Sequence, residues 1–110
     1  MIEKIISEIE GRLRQDKNVP AASTKQLLEL LNLLKIEVAR LSKTNNEEAS
    51  SIASFAQISA QEATRKTPDA KLLEISLSGL RSSVDGFEKT HPQLVEIVNR
   101  ISNALSNLGI

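Results

Sequence analysis

Apolar residues recur at intervals of four and three along nearly the whole chain, and that spacing confines the fold to packed α-helices. Ile2, Ile5, Ile6, Ile9 and Leu13 form a first stripe. Leu27, Leu31, Leu34, Val38 and Leu41 form a second, and Leu73, Leu77, Leu80, Val84 and Phe87 form another. Leu94, Val98, Ile101, Leu105 and Leu108 close the series in the same rhythm. Residues three and four apart lie on one side of a helix, so each stripe is a face to be buried against another helix. The expected fold class is all-α: a helical bundle of three to five helices, long, heptad-spaced and coiled-coil-like. At 110 residues the chain is a single helical domain, residues 1–110. A domain of this size buries roughly 60–70% of the surface its unfolded form exposes.

The breaks between stripes set the expected helices at about 2–16, 24–43, 46–66, 69–89 and 91–108. Lys17-Asn18-Val19-Pro20 ends the first, because proline disfavours helical geometry in the residue before it. Gly11 sits inside that helix at a cost of about 1 kcal/mol relative to alanine. Ser23 or Thr24 is placed to cap the second helix. Leu28, Leu30, Leu33 and Ile36 widen its apolar face and imply neighbours on two sides.

From Ala21 to Thr67 there is neither Gly nor Pro. The one hint of a break is Thr44-Asn45-Asn46-Glu47-Glu48, where Thr44 with Glu47, or Asn45 with Glu48, matches a capping box. Ile52, Phe55 and Ser59 nevertheless continue the spacing counted from Leu41, and this continuity favours one helix of about 40 residues, about 60 Å long. Ala49, Ala53, Ala56, Ala60 and Ala63 line the second half with small side chains that let another helix approach closely.

Thr67-Pro68-Asp69 is a stop and restart, with Pro68 suited to the first helical position. Thr90-His91-Pro92-Gln93 fits a second capping box. The heptad phase runs unbroken from Phe87 through His91 to Leu94, so a helix kinked at Pro92 competes with a break. An interior proline costs about 3 kcal/mol, which favours the break or a sharp kink. At the end of the chain, Gly109 and Ile110 match the C′ and C″ positions of a Schellman cap, with Ile110 opposite Leu105.

Composition excludes more than it assigns. Phe55 and Phe87 are the two aromatics, so the core rests on Leu, Ile, Val and Ala, and a deep aromatic-lined pocket is not expected. Fourteen basic residues balance fourteen acidic ones. With no basic run beyond Arg65-Lys66 and no stacking platform, nucleic acid is not an expected partner. The absence of cysteine removes disulfides, thiolate nucleophiles and cysteine-ligated zinc. No run approaches 18 apolar residues, and MIEKIISEIEGRL lacks the basic and apolar regions of a signal peptide. The polar side of that first helix (Glu3, Lys4, Ser7, Glu8, Glu10, Arg12) is too acidic for anionic lipid. The expected location is the cytoplasm, with no membrane contact.

His91 is the sole histidine, with Glu88 three residues before it. Glu-x-x-His puts both side chains on one helical face and is the ligand spacing of di-iron bundles, where two such pairs meet. A two-fold dimer supplies two pairs. Against a metal site, Pro92 ends the helix beside the pair, and only Glu48 adds an inward carboxylate, provided the helices join. A junction in which Thr90 caps, Pro92 starts the helix and His91 fills the corner accounts for the same residues. The serines (Ser50, Ser51, Ser54, Ser82, Ser83) lack a base and a presenting elbow, and Gly11, Gly79, Gly86 and Gly109 are too far apart for a phosphate loop. No catalytic residue, metal ligand set or cofactor is therefore expected, and the chain reads as a non-enzyme.

The run LLEISLSGLRSSVDGFEKTHPQLVEIVNRISNALSNLGI resembles the end of the bacterial domain-of-unknown-function family 4404. That family pairs a Phe-Glu-x-x-His-Pro-x-Leu turn with a closing Leu-x-x-(Met or Leu)-Gly-Ile. The matching positions are Phe87, Glu88, His91, Pro92 and Leu94, then Leu105, Leu108, Gly109 and Ile110. The Ala-rich SSIASFAQISAQEATRK resembles a longer variant within the family. The resemblance implies a small cytoplasmic helical protein and brings no activity. The expected function is that of a structural or interaction module acting through helix–helix association, as a homodimer or higher homo-oligomer, with an unknown protein client as a further partner. The alternative is a metal-binding bundle using Glu88 and His91 across a homodimer.

Overall fold

A computed structural model describes residues 2–15 and 20–108, and side chains from residue 4 onward. Five helices follow one another: α1 (Ile2–Gln15), α2 (Ala21–Ser42), α3 (Asn46–Ala63), α4 (Ala70–Ser82) and α5 (Pro92–Leu108). The described residues contain no strand, and the fold is an all-α bundle. Each stripe folds as its spacing dictates. Ile6, Ile9 and Leu13 of α1 are buried, as are all five residues of the Leu27–Leu41 stripe, Leu73, Leu77, Leu80 and Val84, and Leu94, Val98, Ile101 and Leu105. They form one continuous core, with Ile5, Phe87 and Leu108 packed at its edge.

The helix of about 40 residues is not formed. Lys43, Thr44 and Asn45 separate α2 from α3, and the amide of Asn45 folds back 2.7 Å onto the Leu41 carbonyl. The longest helix, α2, has 22 residues, and the whole bundle measures 38 × 24 × 21 Å. The spacing continues across the corner because each helix meets the same core, and not because the backbone is continuous.

Several expected caps also move. Pro20, not Ser23 or Thr24, precedes α2; its carbonyl accepts from the Thr24 amide at 3.0 Å. The helix thus starts earlier than the hydroxyls suggest. At α3 the N-cap is Asn45, without a side-chain hydrogen bond; Thr44 instead donates its hydroxyl to Asn45 Oδ1 at 2.8 Å. At α4 the cap is Asp69, whose carboxylate accepts from the amides of Lys71 (3.0 Å) and Leu72 (3.2 Å). Pro68 lies one residue outside that cap. The third and fourth expected helices are shorter than their stripes, ending at Ala63 and Ser82. The expected stop at residues 17–19 and the cap at Gly109-Ile110 lie outside the described residues.

Helices α2, α3, α4 and α5 pack in a ring, each against the next and α5 against α2, with α3 also meeting α5 across the middle. Helix α1 lies on α2 and α3 alone. Its polar side is tied to α3, where Arg12 Nε donates to Thr64 Oγ1 (2.6 Å) and Gln57 Nε2 to Glu8 Oε2 (2.9 Å). Helix α3 therefore touches the other four, and Ala49, Ala53, Ala56, Ala60 and Ala63 are all buried there. The sequence implied that this small-residue face would admit one close neighbour; the helix that carries it meets four.

Candidate functional site

The only imidazole lies in the connection between α4 and α5. After Ser82 the chain makes successive turns in which Asp85 N donates to Ser82 O (3.1 Å) and Phe87 N to Val84 O (3.1 Å). Gly86 takes φ +94°, a backbone state that side-chain-bearing residues rarely adopt. The Glu88 carboxylate accepts from the Gly86 amide at 2.9 Å and so latches this turn. His91 N then donates to Phe87 O (2.7 Å), and the His91 carbonyl accepts from Val95 N (3.3 Å) as α5 begins. The His91 ring meets the Phe87 ring edge-on, with centroids 5.7 Å apart.

Pro92 occupies the first helical position, where its missing amide costs nothing. The connection is thus a break, not a kinked helix. The capping box is displaced, because His91 immediately precedes the helix and Thr90 stands one residue too early. Leu94 is fully buried, and Phe87 half-covers the core.

Glu88 and His91 therefore stand in a turn, not on one helical face, and the premise of the di-iron spacing fails. Glu48, the further carboxylate that reading needed, is exposed at the start of α3. Among the described residues, no group of three or more His, Asp or Glu side chains is placed to hold a metal ion.

A different surface stands out. Leu33 and Ile36 on α2, Phe55 and Ile58 on α3, and Leu72 and Ile75 on α4 are large apolar side chains exposed to solvent. Leu33 and Ile36 correct the expectation that they bury against a second neighbour; only Leu30 of that widened face is fully buried, and Leu28 is half-buried. Leu33 borders a groove of about 490 Å³ between α2 and α5, shared with the polar Gln26, Glu29, Arg100 and Asn103.

The other four belong to one face. Phe55 and Ile58 are three apart, as are Leu72 and Ile75, and Gly79 lies one turn beyond Ile75. The Phe55 ring rests on Gly79, where a methyl group would stand 2.6 Å from Cδ1. Ile58, Leu72 and Ile75 were not singled out in the sequence. Their signal is that they are apolar yet fall beside the stripes, next to Ser59, Leu73 and Glu74.

The sequence model of a family described as "Domain of unknown function (DUF4404)" matches residues 27–110. The chain belongs to this family. The match takes in most of α2, all of α3 to α5 and the Phe87–Leu94 turn, while α1 lies outside it. No curated protein and no solved structure matches the chain. For this DUF4404 member the turn residues Phe87, Glu88, His91, Pro92 and Leu94 each have a structural task in joining α4 to α5. Among the described residues, no helix is long and apolar enough to cross a membrane.

Proposed function

We propose that the domain is an interaction module that works by helix–helix association with a second copy of itself, in the cytoplasm, without catalysis and without a cofactor. One observation carries this reading: Phe55, Ile58, Leu72 and Ile75 gather on the face shared by α3 and α4. Single exposed apolar residues are ordinary on any protein surface, whereas a contiguous group marks an interface. The His91 ring stands edge-on to Phe87, and among the described residues no group of three or more His, Asp or Glu side chains gathers to hold a metal ion.

Multi-angle light scattering on the purified chain tests the reading. The expected mass is twice the 12.1 kDa of one chain. A monodisperse monomer at high concentration overturns it.

A further inference from the structure

We propose that two copies pair through the α3–α4 face about a two-fold axis, with the Glu48 end of one copy against the Lys71 end of the other. This rests on the self-association reading and specifies its surface and geometry.

Two faces present exposed apolar residues, and they differ in kind. On α2, Leu33 and Ile36 stand beside a groove lined with Gln26, Glu29, Arg100 and Asn103. Burying those charges and amides is costly unless each finds a partner. The α3–α4 face instead joins four apolar side chains across two helices, and Ile75 is the most exposed large apolar residue described, at 59%. Phe55 lying on Gly79 closes the seam between the helices, so the face is continuous.

The charges at its ends give the orientation. The Phe55–Gly79 contact sits about equally far back along α3 from Ala63 and forward along α4 from Ala70, so the two helices run antiparallel as a hairpin. Glu48 is two turns before Phe55 on the same side of α3, with Glu47 beside it, and both are exposed. Lys71 is one turn before Ile75 on α4, at the opposite end of the face, near exposed Lys66. Of the other charges at the Lys71 end, Glu62 pairs with Arg65 at 2.8 Å and Asp69 caps α4; exposed Glu74, like exposed Arg81 at the other end, stands on nearly the opposite side of α4 from Gly79 and so off this face.

The face is therefore apolar in the middle, acidic at one end and basic at the other. A two-fold axis through its centre lays each acidic end on a basic end. Such self-complementarity is what a symmetric dimer requires.

Sedimentation velocity over a range of concentrations, with circular dichroism as a folding control, tests the proposal. Ile75→Asp is expected to weaken dimerisation at least about thirtyfold, while Leu33→Asp leaves it unchanged. Glu48→Lys and Lys71→Glu each weaken it about threefold, and the double reversal restores it. Should Ile75→Asp lose helicity, the reversals on exposed residues carry the test alone. A wild-type dimer indifferent to Ile75→Asp, or one abolished by Leu33→Asp, overturns this face but not self-association. A double reversal no better than the singles overturns the antiparallel geometry. A wild-type monomer overturns both readings.

Discussion

The Phe55 ring packs against α4 at Gly79, in space that a methyl group on residue 79 would need. Glycine inside a helix costs about 1 kcal/mol relative to alanine, so the two positions are coupled. Gly11 gives the reference, since nothing lies within 4 Å of a methyl group there. Gly11→Ala is expected to stabilise by about 0.5–1 kcal/mol. Gly79→Ala is expected to gain nothing, and to regain the full benefit in a Phe55→Ala background. Urea unfolding of the four variants around this pair checks it. A coupling energy below about 0.5 kcal/mol would show the ring free to leave.

Leu80 and Val84 are almost completely buried, Val84 in the turns beyond the end of α4. Replacing either with Asp strands a charge in an apolar core, at a cost of at least about 3 kcal/mol. The expected loss in Tm is more than about 10 °C. Thermal melts that leave Tm within a few degrees would mean that this stripe faces water.

Ser59 and Ser102 are fully buried, and neither hydroxyl has a hydrogen-bond partner among the described residues. A buried hydroxyl without a partner is a liability. Ser59→Ala and Ser102→Ala are each expected to raise stability by about 0.5–1 kcal/mol. A loss of similar size in denaturant unfolding would show the hydroxyls engaged.

Asp69 caps α4 through two amides. Asp69→Ala is expected to cost about 1 kcal/mol, while Asp69→Asn or Asp69→Ser keeps most of the stability, since either side chain also accepts from those amides. Equal losses in all three variants would place the effect elsewhere.

The turn that holds Glu88 and His91 predicts indifference to metal. Adding zinc or manganese to the purified chain is expected to leave Tm unchanged. A rise that grows with metal concentration, as binding to the native state requires, would reinstate the ligand pair.

The stripes carried most of the fold. Each of Leu27, Leu31, Leu34, Val38 and Leu41 is where periodicity puts it, because a helix has one way to turn a face inward. The corner at residues 43–45 was harder to read. It contains no Gly or Pro, and two helices that share a core keep a common phase by accident as easily as by continuity. The caps were partly legible: α2 starts directly after Pro20 and not at Ser23 or Thr24, and Asp69 caps α4 where Pro68 was expected to open the helix, because the choice among neighbouring residues is made by local backbone geometry that the sequence does not display. The exposed face was missed for a plainer reason. Ile58, Leu72 and Ile75 are chemically identical to core residues, and only the packing of α3 on α4 separates the two.

Helix α3 touches the other four helices, and five of its alanines are buried. It works as a spindle, and its girth is fixed by methyl groups. Connections can lengthen at little thermodynamic cost, since loop closure grows slowly with length. Thickening the spindle is another matter, because one larger residue at Ala53 or Ala56 would push outward on several helices together. Sequence change in this fold is therefore free to act on the rim and the loops, and least free along its axis.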